Sequence, residues 1–229
     1  MNDDSRAWLI QQLKGLVLIG ALSLLLAISV NAFRRDGIPW VDTRRMMKAG
    51  DTLPHFPIPP PADPTVRKYL GLPSDKETTT ISSVQADLLV MEVLNVYCFA
   101  CQSQALAFND VYQLIQKRPE LRKRIKLIGV AIGNNQEEAD DFRREYGLSF
   151  PVIPDSEGLS SRLMGPDLPP PFSVYVRRDA SGKLGLVIGT HEGVIEDQRI
   201  LFDGLVKILD MEPDSKHFQE LFRHQDRTT

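Results

Sequence analysis

The chain has 229 residues, 42% of them hydrophobic and 25% charged, enough for one packed domain with room for an anchor and a tail. Its net charge of −3, from 27 Lys and Arg against 30 Asp and Glu, argues against nucleic acid as a partner, because such binders gather basic charge on one face. Only two cysteines occur, at positions 98 and 101, too close together to staple a fold, which excludes a secreted disulfide scaffold.

Residues 1–15 form a short polar lead. From Leu16 to Phe33 the sequence runs LVLIGALSLLLAISVNAF without a charge. As a helix this segment is roughly 27 Å long, close to the thickness of a bilayer's hydrocarbon core. Lys14 and Arg34-Arg35 bracket it, and Trp8 and Trp40 fall just outside, where interfacial residues belong. The expectation is a single transmembrane anchor over 16–33. A cleaved secretory signal competes with it, since Val30-Asn31-Ala32 offers small residues where a peptidase reads, although Asp3 and Asp4 sit in the leading segment. Flanking charge alone would place the domain in the cytoplasm, because Arg34, Arg35, Arg44, Arg45 and Lys48 follow the segment. Long domains translocate despite such charge. A membrane-anchored extracytoplasmic domain is therefore expected, periplasmic in a bacterium, and secreted or periplasmic if the N-terminus is cleaved.

Residues 34–64 read as a stalk. TLPHFPIPPPADP carries six prolines between positions 54 and 64, a composition that favours extended polyproline II. Residues 65–86 give no clear periodicity beyond a turn signal at Gly71-Leu72-Pro73. LLVMEVL (88–94) then predicts a strand buried on both faces, and residues 99–117 predict a helix with Ala105, Phe108, Val111, Tyr112 and Ile115 on one face. IKLIGVAI (125–132) is a second buried strand, and Asn134-Asn135 leads into a charged helix that ends at Gly147. FPVIPD is followed by a short helix near 156–164. After Pro169-Pro170-Pro171, FSVYVRR and LGLVIGT (184–190) form a hairpin across Asp179–Gly182. A helix over 196–210 closes the domain (65–210, core 86–210), and residues 211–229 are a polar tail in which a further helix fits 214–224. The order βαβα, β-hairpin, α predicts an α/β fold with a mixed central sheet flanked by helices.

Cys98-Phe99-Ala100-Cys101 stands where a buried strand ends and a helix begins. Unpaired N–H groups and the dipole at a helix start favour an anion, so a thiolate at Cys98 is expected there. The second sulfur lies about one turn on, where it can attack a mixed disulfide formed at the first. Cys98 is thus the expected attacking thiol and Cys101 the resolving one. Half of a zinc site would need two more ligands, and His55, His191, His217 and His224 show no ligand spacing.

The segment DLLVMEVLNVYCFACQSQALAFNDVYQLI resembles the active-site strand and helix of thioredoxin-fold proteins, and most of all the membrane-anchored TlpA/ResA-like thiol–disulfide oxidoreductases. The resemblance implies a thioredoxin-like fold over about 86–210. It also implies disulfide exchange with protein cysteines, no cofactor, and an electron-transfer partner in the membrane. In that family an acidic residue often lies six positions before the first cysteine, which here is Glu92. A buried carboxylate there would have a raised pKa and could take the proton from Cys101. The family's cis-proline corresponds to Pro171, next to a substrate-pairing position that here is Pro170. Proline at that position is a departure, because it has no N–H to donate. Phe99 and Tyr97 complete the expected substrate-binding surface. Phe172 and Ser173 replace the threonines common after the cis-proline, and Asn95 and Tyr97 replace strand tryptophans.

Two other functions share the fold. A peroxiredoxin-like peroxidase has threonine three residues before its cysteine, where this chain has Asn95. A copper-binding thiol chaperone would need His191 as the distal ligand, and such proteins space their cysteines one residue further apart.

Overall fold

The computed structural model describes residues 45–73, 79–166, 168–179 and 182–211. The polar lead, the apolar segment 16–33, the beginning of the stalk and the tail beyond residue 211 lie outside the described residues. Among the described residues no helix is long and apolar enough to cross a membrane.

The domain is built on a five-stranded mixed sheet. Its strands are β3 (Leu88–Leu94), β4 (Ile125–Ile132), β5 (Val152–Asp155), β6 (Phe172–Arg178) and β7 (Leu184–Glu192), in the order β5-β4-β3-β6-β7. β3 pairs parallel with β4, and β4 parallel with β5. β6 pairs antiparallel with both β3 and β7. All seven residues of β3 are buried, which is why this central strand reads as an unbroken apolar run rather than an alternation. The strand limits expected for β3, β4 and β6 match those observed, and β7 runs on to Glu192 instead of ending at residue 190.

The sheet separates two layers of core. On one face Leu88, Val90 and Leu94 meet α2 (Phe99–Gln116), whose inward side is Ala105, Phe108, Val111 and Ile115, together with Phe202 and Leu205 of α6 (Gln198–Leu209). Phe108 is fully buried here, and its truncation to alanine is expected to destabilise the domain by about 3–5 kcal/mol. On the other face Leu89, Met91 and Val93 meet Ile128, Val130 and Val174 and a cover of chain that precedes β3.

That cover corrects the stalk reading. Leu53, Phe56 and Ile58 are buried, and Pro57–Ile58 (β1) pairs antiparallel with Thr79–Thr80 (β2). Thr52 bridges to Leu186 on the edge strand β7. The prolines suit an extended path, but the apolar residues between them bury against the sheet, so from about residue 45 this stretch belongs to the domain. The unassigned region beyond contains α1 (Pro64–Leu70). Asp63 caps its start, Pro64 fills the first turn, and Gly71 ends it at φ 66, a left-handed position that glycine adopts without strain. The six-residue α3 (Pro119–Arg124), also unforeseen, is too short for a periodic signal and starts on Pro119.

The remaining helices frame the site. α4 (Gln136–Glu145) opens on a capping box in which Asn135 and Glu138 satisfy each other's backbone N–H groups, and α5 (Leu159–Met164) follows β5.

Candidate active site

β3 ends at Leu94, and the chain turns through Asn95–Tyr97 into Cys98, which caps α2. Cys98 has an extended backbone (φ −84, ψ 116), and its sulfur accepts a hydrogen bond from the Cys101 N–H at 3.3 Å. One of the N–H groups that a helix start leaves without an intrahelical partner is therefore spent on the first sulfur of the pair. Both cysteines are free thiols; Cys98 is half-buried, whereas Cys101 is only 1% exposed.

The turn is pinned from the neighbouring β4–α4 loop. Asn95 donates to the Ile132 carbonyl at 2.9 Å and accepts from the Tyr97 N–H at 3.0 Å. The fully buried Asn134 accepts from the Val96 N–H at 3.1 Å. The Tyr97 hydroxyl donates to Glu138, a bond that holds the carboxyl of Glu138 below its usual range and the Tyr97 phenol above its own. Asn134 and Glu138 were not singled out from sequence. The only sequence signal is a polar Asn134-Asn135 pair directly after a buried strand.

Of the residues expected from sequence to meet a substrate, Tyr97 and Pro170 line a groove with Cys98, and Phe99 follows Cys98 directly in the chain. The Pro170–Pro171 peptide bond is cis, and the Cys98 thiol donates to the Pro170 carbonyl at 3.5 Å. The Pro171 carbonyl is already taken by the Gly193 N–H at 2.9 Å. Cys98, Pro170, Tyr97 and Asn95 line an open groove with Gly133 and Ser161. Tyr97 is 73% exposed and Phe99 82% exposed, so two large apolar side chains stand bare on either side of the half-buried sulfur.

Glu92 lies beneath, on β3, and is 1% exposed rather than at a solvated edge. It belongs to the same sheet face as α2, and its Oε2 accepts from the Ser173 hydroxyl at 2.6 Å. Oε1 has no hydrogen-bond partner. Burial pushes the Glu92 carboxyl from 4.5 up to about 8, with the Ser173 bond pulling the other way. The Cys101 thiol is raised above its ordinary value, first by burial, then by its hydrogen bond with Cys98 and by the charges of Cys98 and Glu92. Burial thus disfavours the charged form of both groups, and the Glu92 charge adds to that effect on Cys101.

His191 is exposed on β7, and among the described residues no three His, Cys, Asp or Glu side chains are grouped so as to hold a metal ion. The arrangement suits a thiol pair of unequal access: one sulfur at the surface, one buried behind it, and a buried carboxyl within electrostatic reach of the second.

No family model matches the chain. Among curated proteins it is similar to the thiol–disulfide oxidoreductase ResA of Oceanobacillus iheyensis, 21% identical over 117 residues, which are 51% of this chain and 54% of that protein. The chain therefore spans about half the length of the curated relative it matches. Among solved structures it is similar to a candidate DsbE thiol:disulfide interchange protein from Chlorobium tepidum, with 18% identity, TM-score 0.52, and coverage of 71% of this chain and 99% of that one. A candidate protein disulfide isomerase from Bacteroides thetaiotaomicron gives 17% identity, TM-score 0.52, and coverage of 76% and 96%. The described domain has a thioredoxin-like α/β fold, and its sequence is similar to that of a ResA thiol–disulfide oxidoreductase.

Proposed function

We propose that this chain is a thiol–disulfide oxidoreductase that exchanges disulfides with cysteine pairs of other proteins, with Cys98 attacking and Cys101 resolving. The observation that carries this reading is the asymmetry of the pair. Cys98 caps a helix beside an open groove, and Cys101 is buried one turn on, with its N–H on the Cys98 sulfur. Similarity to ResA over half of each chain supports it.

In the reducing direction the Cys98 thiolate attacks a substrate disulfide. A Cys98–substrate S–S bond forms, and the substrate's other sulfur leaves as a thiolate that takes a proton from water. Cys101 then gives its proton to Glu92 and attacks the Cys98 sulfur. The Cys98–Cys101 disulfide forms, the second substrate sulfur is released as a thiolate, and two electrons have passed to the substrate. The oxidising direction is the same sequence reversed. Phe99 and Tyr97 would cover apolar parts of the substrate chain, and the Pro170 carbonyl would accept one backbone N–H from it. With proline at 170 the matching donor is missing, so the substrate strand is held by half the usual pairing.

The apolar segment 16–33 fits a membrane anchor with the domain on the extracytoplasmic side, where disulfides persist and where a membrane electron-transfer partner would be in reach. Titrating the full chain in detergent against a glutathione redox buffer, with free thiols counted at each poise, tests the activity. A reversible two-electron transition assigned to Cys98 and Cys101 supports the reading, and thiols that never pair reversibly overturn it.

A further inference from the structure

Resting on that reading, we propose that Ser173 is the positioning residue for Glu92: its hydroxyl holds Oε2, leaving Oε1 as the atom that receives the proton from Cys101. The register makes this possible. Glu92 on β3 stands directly opposite Ser173 on β6, so both side chains leave the same face of the sheet, toward α2. Ser173 has no exposed surface, and its hydroxyl donates to Oε2 at 2.6 Å. The other carboxylate oxygen is buried without a hydrogen bond.

A buried carboxylate needs a donor when it is charged and an acceptor when it is protonated. A hydroxyl supplies either by rotating about its own C–O bond. With the proton on Oε1, Oε2 is still an acceptor, so the Ser173 hydroxyl keeps its bond to Glu92 in both protonation states. The proton given up by Cys101 goes to Oε1 and leaves again when the resolving step is reversed or the acid re-equilibrates with water.

The groups that bear on Glu92 from the surrounding elements are few. Cys101 faces it from α2, with Cys98 at the cap, and Tyr175 on β6 feels its charge. β4 places Gly129 opposite it and contributes no titratable side chain there. His191 on β7 is paired with Ser173 in the next strand but is exposed. Arg177, further along β6, is committed to the Leu209 carbonyl at 3.1 Å. Ser173 is therefore the one residue seen to hydrogen-bond the Glu92 carboxylate among the described residues.

The test is a pH titration of the Glu92 carboxyl by carbon NMR of glutamate-labelled, reduced full chain in detergent, assigned with E92Q. Removing the hydroxyl in S173A is expected to raise the Glu92 midpoint by about one pH unit or more, because the charged form loses its donor. S173T should restore it. S173V and S173T have the same shape and differ by the hydroxyl, so this pair decides the matter if S173A does not fold. An unchanged midpoint in S173A, or equal midpoints in S173T and S173V, overturns the proposal. Resolution of a Cys98–glutathione mixed disulfide, followed against pH in the same variants, separates the two levels. If the midpoint moves with the hydroxyl but the resolution profile does not, Glu92 is not the base and the mechanism proposed above fails instead.

Discussion

The two cysteines are three residues apart and live in different worlds. Cys98 sits half-buried at a helix cap, beside an open groove and against the Pro170 carbonyl, with bare aromatic surface on both sides. Cys101 is 1% exposed, packed with Ala105 and Phe108 in the α2 layer, and its thiol is pushed up by burial, Cys98 and Glu92. A protein-sized partner can touch the first sulfur, and the second is left only its neighbour to attack. Under the proposed mechanism the contrast would give the chemistry an order, with the groove meeting the substrate and the buried layer taking up a proton.

The sharpest way to break that order is to remove each sulfur in turn. Cys98→Ser should abolish disulfide exchange, by at least ~100-fold, whereas Cys101→Ser should still attack once and accumulate mixed disulfides. Non-reducing gels against a substrate disulfide read both outcomes, and equal behaviour of the two variants would erase the distinction.

Next in size is Glu92→Gln, which should slow the resolving step by ~10-fold or more above about pH 8, where the carboxylate is ionised, while leaving attack by Cys98 in place, as measured by stopped flow. The same variant has a stability signature. Because the folded carboxyl is raised from 4.5 to about 8, the folded state holds a proton that the unfolded chain has released between those values. The contribution of Glu92 to stability is fully present below about pH 4.5 and is lost as pH rises through about 8. At about 1.4 kcal/mol per tenfold of proton affinity this is a matter of a few kcal/mol. Chemical unfolding across pH 5–8.5 should show a decline in the parent chain that is flatter in the glutamine variant.

Smaller effects sharpen the groove. Asn134→Ala leaves the buried Val96 N–H without an acceptor and should destabilise the domain by about 1–3 kcal/mol in denaturant titration. It should also loosen the Cys98 turn. Pro170→Thr adds the missing N–H beside the cis-proline and is expected to lower KM for a protein disulfide about 2–10-fold, the worth of one net hydrogen bond, with little change in kcat.

Legibility in the sequence follows the range of the interactions. β3 and β4 could be bounded because strands buried on both faces leave unbroken apolar runs, and α2 because its inward residues repeat at helical spacing. Cys98 and Cys101 stand out by their spacing at a strand–helix junction, and Glu92 through the family resemblance and as the lone acid within LLVMEVL. Residues 45–64 misled, since local proline content favours a free extended stalk, while Leu53, Phe56 and Ile58 are held by a sheet formed far along the chain. Ser173 lies 81 residues from Glu92, and only the β3–β6 register brings them together. Asn134 reaches Val96 across 38 residues for the same kind of reason. Locally Asn134 shows only as half of a polar pair after a buried strand, and Ser173 only by its place just after Pro171.

In the proposed mechanism Cys98 and Cys101 act as one reversible redox couple with unequal members. The most direct measurement is the glutathione titration of the full chain in detergent, with trapped thiols mapped by mass at each poise. A single two-electron transition is expected in which both thiols are lost together, with glutathione appearing on Cys98 alone near the midpoint. Independent one-electron-equivalent modification of the two sulfurs, or glutathione captured first on Cys101, would contradict it.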